Sequence, residues 1–486
     1  MYRIPVLILC ALYFAMLIGV SAYSGKTANK SFTAFAIGGG ALPVIYVIFT
    51  SIASQFGSGN FIGHGDSGYL LGLPWIPFVI GEQFALAVFA FLFARFHQYN
   101  YNTLSEFCDR RITRDKVTRA IIGVLIALPC LAWVGGQAMG LGFLFNHLTG
   151  IDANVIVVIA GIVFIIYGSL GGILGIARVD LVQGILIIIL GVFFYIKAFG
   201  VVDFSLAVLG ERIKAIDPGM WTFSSVTPVA LLTSFITGAF GTLSFQPFWQ
   251  RLFAAKTGKD IKLAYYIGAF CGCTFVPCTV LVGIIARTVN GNITGGATMW
   301  LVANMMPAFA TILVFVLLLA ATMSTGVALL NSAAIAITND CIRPFGQQDD
   351  KKLIKTAKIL TAVCGVFCIL AALKFDYILD LASLGYTACG GAVVPYLLIG
   401  WLWRDNRENL SIKDSRISPL AARFSLIIGS VVSILFDTVG FLKAICGGGV
   451  IPGAVVTGIL VLVLSRIFPA DYSDVEDITV KAVTDV

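Results

Sequence analysis

The chain has 486 residues, 58% of them hydrophobic and 12% charged, with a formal net charge of +7 and a mean hydropathy of +0.95. Soluble domains carry about 25% charged residues; here the deficit runs along the whole length, in apolar runs of roughly 17–30 residues, the length that crosses a bilayer. This excludes a soluble globular protein, and the positive charge calls for no nucleic acid, because it lies in the loops between apolar runs, where it meets membrane lipid.

In chain order the runs read as about 13 spans. Their approximate limits are 4–22, 42–63, 74–97, 120–146, 153–170, 178–200, 227–249, 263–286, 308–338, 357–373, 376–403, 420–438 and 446–467. No small-residue cleavage site follows the first, so it is expected to stay as a helix. Span 2 is interrupted by SQFGSGN (Ser54–Asn60), where backbone carbonyls come free. Span 7, SFITGAFGTLSFQPFWQR, carries Gly238, Gly241 and Pro247. Span 9 sets Ser324 beside Thr325 within LLLAATMSTGVALL. Two hydroxyls at membrane depth cost free energy unless their oxygens are used. The plain alternative is that each bonds the carbonyl four residues earlier on its own helix. Hydroxyls from one helix and freed carbonyls from another are what a dehydrated small cation requires.

The breaks in spans 2 and 7 stand five spans apart. Paired broken helices point to an inverted-repeat transporter with repeats 2–6 and 7–11 and peripheral spans 1, 12 and 13. Glycine-mediated helix packing is the alternative. The expectation is one transmembrane domain over 1–468, with core repeats near 42–200 and 227–403 and a cytoplasmic tail at 469–486. Of the 32 Lys and Arg residues, all but Arg3, Lys197, Arg212, Lys214, Arg287, Lys374 and Lys443 fall in or beside loops that are cytoplasmic if the N-terminus lies outside. A shift by one span would destroy that asymmetry. The 11 cysteines sit mostly inside apolar spans, as small packing residues. His64, His97 and His147 lie at span ends and form no cluster. No HExxH, no GxSxG with partners and no Lys-bearing phosphate loop is present, so an enzyme is not expected.

Four segments together resemble the solute:sodium symporter family: Gly38–Leu73 with its FIG, YGSLGGILGIARVDLVQ (Tyr167–Gln183), FQPFWQRLFAAKTGKDIKLA (Phe245–Ala264) and AATMSTGVALLNSAAIAITND (Ala320–Asp340). The QPFW run is nearer the proline and pantothenate branch than the sugar branch. The resemblance implies an all-α polytopic membrane protein with a LeuT-like five-plus-five inverted repeat. It also implies a sodium site made of the Ala53, Phe56 and Ala321 carbonyls and the Ser324 and Thr325 hydroxyls, with Asp180 guiding the ion from the cytoplasmic side. Asp180 stands near Arg178, and a surface salt bridge between them is the other reading. Val327 and Ala328 occupy positions where some members place two further hydroxyls, so one sodium per cycle is expected.

The solute is expected between the broken helices, at Asn60, Glu82, Trp133, Gln137, Phe240, Ser244, Phe245 and Gln246, with Tyr386 closing one side. Asn60 and Glu82 match sugar-contacting positions in sugar carriers. The expected function is sodium-coupled uptake of a small solute by alternating access, an amino acid, carboxylate or vitamin before a sugar, at the plasma membrane. No obligate protein partner is expected. The alternative is a transporter-like sensor acting through a separate signalling partner, since the chain ends shortly after its last span.

Overall fold

The computed structural model describes residues 3–346, 349–374, 378–407 and 410–475. The first residues of span 11 and the tail beyond 475 lie outside them. Among the described residues, regular structure is helical throughout, apart from two isolated bridges. The principal helices are α1 (Arg3–Ala28), α2 (Val44–Gln55), α3 (His64–Leu71), α4 (Ile76–Val88), α5 (Lys116–Thr149), α6 (Ala153–Phe199), α7 (Pro228–Leu243) and α8 (Gln246–Ala254). They continue with α9 (Gly258–Val289), α10 (Ala297–Met305), α11 (Ala308–Ala336), α12 (Asp350–Ala372), α13 (Ile378–Leu402), α14 (Pro419–Thr438) and α15 (Val450–Ile467).

Among the described residues nine helices are long and apolar enough to cross a bilayer, or ten if α7 and α8, bent by 42°, form one span. The difference from the 13 expected falls at three places. Helix α1 is outside the nine, span 2 is split into the short α2 and α3, and spans 5 and 6 run together as the 47-residue α6.

A straight helix of that length would measure ~70 Å, about twice a hydrocarbon core. Instead α6 breaks at Gly172, at φ 52° and ψ −161°, a conformation only glycine adopts freely. Its first arm runs parallel to α1: Ser21 donates to the Tyr167 carbonyl at 3.1 Å, and Gly25 lies against the Leu170 carbonyl. Its second arm runs antiparallel: Arg178 donates to Ser24 at 3.0 Å, and Gln183 bonds Tyr13. The two arms therefore form a hairpin whose turn is a single glycine.

Both broken helices are stabilised at their freed ends. In α2 the last backbone bond runs from the Phe56 N–H to the Ile52 carbonyl at 2.9 Å, and Phe56 then leaves helical geometry at φ −92°, ψ 62°. The chain resumes through a π turn at Gly59–Gly63. In the second break α8 restarts with Pro247 in its first turn, where the missing N–H costs nothing. The Trp249 indole donates to the freed Leu243 carbonyl at 2.8 Å. A bridge joins the two units: the Leu42 N–H bonds the Ala254 carbonyl at 2.9 Å, and the Lys256 N–H bonds the Leu42 carbonyl at 3.1 Å.

Candidate ion and solute site

Ser324 and Thr325 are both buried in α11 and both face the break of α2. Ser324 Oγ lies 3.0 Å from the Ala53 carbonyl and 2.9 Å from the Ala321 carbonyl; Thr325 Oγ1 lies 2.8 Å from the Ala53 carbonyl. In this arrangement the hydroxyls donate to those carbonyls. Neither is shown bonded to the carbonyl four residues back. Gly57 permits the approach: a Cβ there would stand 2.6 Å from Thr325 Oγ1 and 2.7 Å from Gln137 Oε1. Gln137 holds the break open, accepting from the Ser58 N–H and the Ser58 hydroxyl, each at 2.8 Å. Phe56, at the same break, is buried against Phe61, with ring centroids 6.1 Å apart. One turn further along α11, Val327 and Ala328 are buried, and Val327 packs toward Gly168.

Asp180 does not pair with Arg178, which turns to Ser24 and the Tyr23 ring. It is fully buried, accepts from Thr50 Oγ1 at 2.5 Å, and lies 3.9 Å from the Arg251 guanidinium. Arg251, equally buried, donates to the Thr50 hydroxyl at 3.0 Å, to the Pro247 carbonyl at 2.9 Å and to Ser54. Thr50 and Ser54 are on the helix that carries Ala53. This network thus ties α2, α6 and α8 together directly beside the Ala53–Thr325 contact. Pairing of this kind offsets much of the cost of burying the two charges.

Next to Thr325 lies a cavity of about 40 Å³, room for roughly three waters. Both breaks contribute to its wall. Of the residues expected to meet the solute, Asn60, Glu82, Trp133, Gln137, Phe245 and Tyr386 line it. Ser54, Gln55, Gln83, Leu86, Thr242, Phe248 and Leu329 line it as well. Gln55 sits inside the SQFGSGN break and Gln83 beside Glu82, so the break itself and the buried amide next to a carboxylate were signals for both.

Phe240, Ser244 and Gln246 are placed elsewhere. Ser244 Oγ turns back to the Gly241 carbonyl at 2.9 Å, and Phe240 packs where Gly390 of α13 leaves room. Gln246 accepts from the Leu104 N–H at 3.1 Å and donates to the Asn102 carbonyl at 3.2 Å. It thereby joins α8 to a buried charged knot in which Arg119 meets Asp340 at 3.0 Å and Asp109 at 3.3 Å. The break at Ser244–Phe245 rotates the chain between these residues, which a straight-helix reading does not anticipate.

An aromatic layer covers the cavity on the α3 side. Phe78 stacks on Tyr386 with centroids 6.3 Å apart, and Trp75 stacks on Phe78 at 4.5 Å. Beyond the layer opens a vestibule of about 320 Å³ whose wall includes Asp66, Trp75, Phe78, Thr237, Asp437 and Lys443. Asp66 also caps α10, accepting from the Ala297 N–H at 2.6 Å and the Gly296 N–H at 3.0 Å, and so docks α3, the second half of the broken helix, onto that loop.

Two opposed breaks around a membrane-embedded cavity, flanked by hydroxyls and freed carbonyls, define a secondary carrier of the LeuT-like class. A family model described as the sodium:solute symporter family matches residues 35–409, more than half of the chain, and the chain belongs to that family. Its coupling ion is Na⁺ and its activity is Na⁺-coupled symport of a small solute; it is a multi-pass membrane protein and not an enzyme. The chain is 24% identical over 481 residues to the osmoregulated proline transporter OpuE of Bacillus subtilis, covering 96% of this chain and 95% of that one. It is 23% identical over 464 residues to the sodium/pantothenate symporter of Escherichia coli, covering 90% and 91%. The solved structure of a Na⁺-coupled sialic acid symporter, substrate-bound and outward-open, shares the fold with a TM-score of 0.78 at 20% identity, covering 97% and 100%.

Proposed function

We propose that a single sodium ion binds between α2 and α11, held by the carbonyls of Ala53, Phe56 and Ala321 and the hydroxyls of Ser324 and Thr325. The observation that carries this is the meeting of both hydroxyls with one carbonyl of the opposite broken helix, at 3.0 and 2.8 Å. Sodium is a hard cation that takes oxygen ligands, and five neutral oxygens hold it loosely enough for release on each cycle. Val327 and Ala328 offer no oxygen for a second ion beside the first.

The solute occupies the adjoining cavity, against Asn60, Glu82, Trp133, Gln137, Phe245 and Tyr386. Thr325 belongs to both sites, so occupancy of one alters the wall of the other, and the resulting coupling is reciprocal. With the N-terminus outside, the Phe78–Tyr386 layer closes the outer path and the Asp180–Arg251–Thr50 network closes the inner one. Sodium entry favours the outward-open form, and its departure past Asp180 lets the inner side open. The proline and pantothenate carriers that align along most of the chain favour an amino acid, carboxylate or vitamin over a hexose.

Purified protein screened by thermal shift against a solute library, in sodium and in potassium, tests this reading. Sodium alone raises the midpoint with a Hill coefficient of about 1, and the transported solute adds a further rise only in sodium. Equal shifts in potassium, or a sodium Hill coefficient of about 2, contradict it.

A further inference from the structure

The wall of the central cavity has an unbalanced charge. Glu82 is the one charged residue among the described residues that line it; no lysine or arginine does. Its partner is His64, fully buried, whose Nε2 lies 3.1 Å from Glu82 Oε2. On the other side of the ring, the Trp75 indole donates to His64 Nδ1 at 3.0 Å. An indole N–H can only donate, so Nδ1 carries a lone pair and the proton sits on Nε2. The imidazole is a neutral donor to Glu82 and leaves the carboxylate charge uncancelled.

Two buried acceptors of the wall are unmet. Asn60 Oδ1 and Gln55 Oε1 are buried without a partner. The orientation of Asn60 is fixed, because its amide N–H₂ bonds the Gln55 backbone carbonyl, which can only accept. On the donor side stands the Trp133 indole N–H, beside Tyr386. The rings of Trp133 and Phe245 lie 5.7 and 5.5 Å from that of Tyr386 and complete an aromatic surround. A carboxylate, two amide oxygens and aromatic faces form an environment that attracts a cation. A solute whose only charge is negative meets there a like charge in a low-dielectric setting, and no lysine or arginine of the wall offsets it.

We propose that the transported solute carries a cationic nitrogen, an ammonium or quaternary ammonium, received by Glu82 among Trp133, Phe245 and Tyr386, with His64 as the positioning residue that holds the carboxylate in place. The proposal rests on the reading of this cavity as the solute site and narrows its substrate class.

The test uses full-length purified protein in sodium, with choline, glycine betaine and proline as cationic-nitrogen probes and pantothenate, pyruvate and glucose as probes lacking one. Only the first group should stabilise the protein. Glu82→Gln should weaken their binding at least ~10-fold while the shift from sodium alone persists, and Glu82→Asp should retain part of the affinity. His64→Gln, which keeps an N–H donor, should preserve the preference for cationic probes; His64→Leu should lose it. Sodium-dependent stabilisation by pantothenate, pyruvate or glucose overturns the proposal. So does a Glu82→Gln protein with undiminished affinity for the cationic probes, or the failure of all three to bind. Loss of any sodium-specific shift in the unmodified protein would instead overturn the sodium-site reading, a separate failure.

Discussion

At the scale of single residues, Gly57 decides how closely the two broken elements approach. The nearest atoms to a Cβ placed there are the hydroxyl oxygen of Thr325 at 2.6 Å and the amide oxygen of Gln137 at 2.7 Å. Gly57→Ala therefore forces Thr325 away from the Ala53 carbonyl or Gln137 away from Ser58. Overpacking of this kind costs about 1–3 kcal/mol, so sodium affinity should fall by roughly 10-fold, read as a rightward shift of the sodium titration of thermal stability. An unchanged titration would mean that the break can relax without moving Thr325. The hydroxyl pair was legible in the sequence because two adjacent polar side chains inside an otherwise apolar helix demand a partner. The His64–Glu82 contact was not. His64 reads as a histidine at a span end, and only the π turn at Gly59–Gly63 swings it inward to face α4.

At the scale of elements, caps and breaks set where helices begin. Asp115 caps α5, accepting from the Thr118 N–H at 2.8 Å, and also takes Arg423 through contacts of 2.8 and 2.6 Å. Burial pushes its carboxyl upward, but the hydrogen bonds from Arg423 and Thr118 outweigh that and bring it down to about 2. A depressed carboxylate contributes stability that is complete above its usual value, near about 4. That stability is lost as the pH falls toward about 2. Asp115→Ala should lower the thermal midpoint at neutral pH, by a cap loss of about 1 kcal/mol, and the gap to the unmodified protein should close in acid. A gap independent of pH would show that the ion pair is not the source.

Trp249→Phe tests the second break in the same way. It leaves the buried Leu243 carbonyl without its donor, at a cost of about 1–3 kcal/mol, and should lower the midpoint more than a Phe-for-Trp swap in a lipid-facing position would. The two breaks were visible in the sequence through clustered Gly, Ser, Asn and Pro within apolar runs. The hairpin at Gly172 was only partly so: two spans were expected around it, but a turn of one glycine leaves no loop to read. Gln246 shows the same limit from the other side. Its place in the motif suggested the cavity, whereas the bend between α7 and α8 carries it to Asn102 and Leu104.

At the scale of the whole molecule, the cavity lies between two packed layers. Aromatic stacking separates it from the vestibule beside Asp66, and the Arg251 network and the Gln246 link lie on other sides. In the proposed cycle one layer opens while the other holds, and Thr325, shared by the two proposed sites, ties that choice to the ion. The proposed coupling therefore turns on one place, the contact between α2 and α11. The most direct measurement is the sodium-specific rise in thermal midpoint of the purified protein carrying both Ser324→Ala and Thr325→Ala, compared with the unmodified chain. The expected result is a folded protein whose midpoint responds alike to sodium and to potassium. A double variant that keeps the full sodium-specific rise would contradict it and place the ion elsewhere.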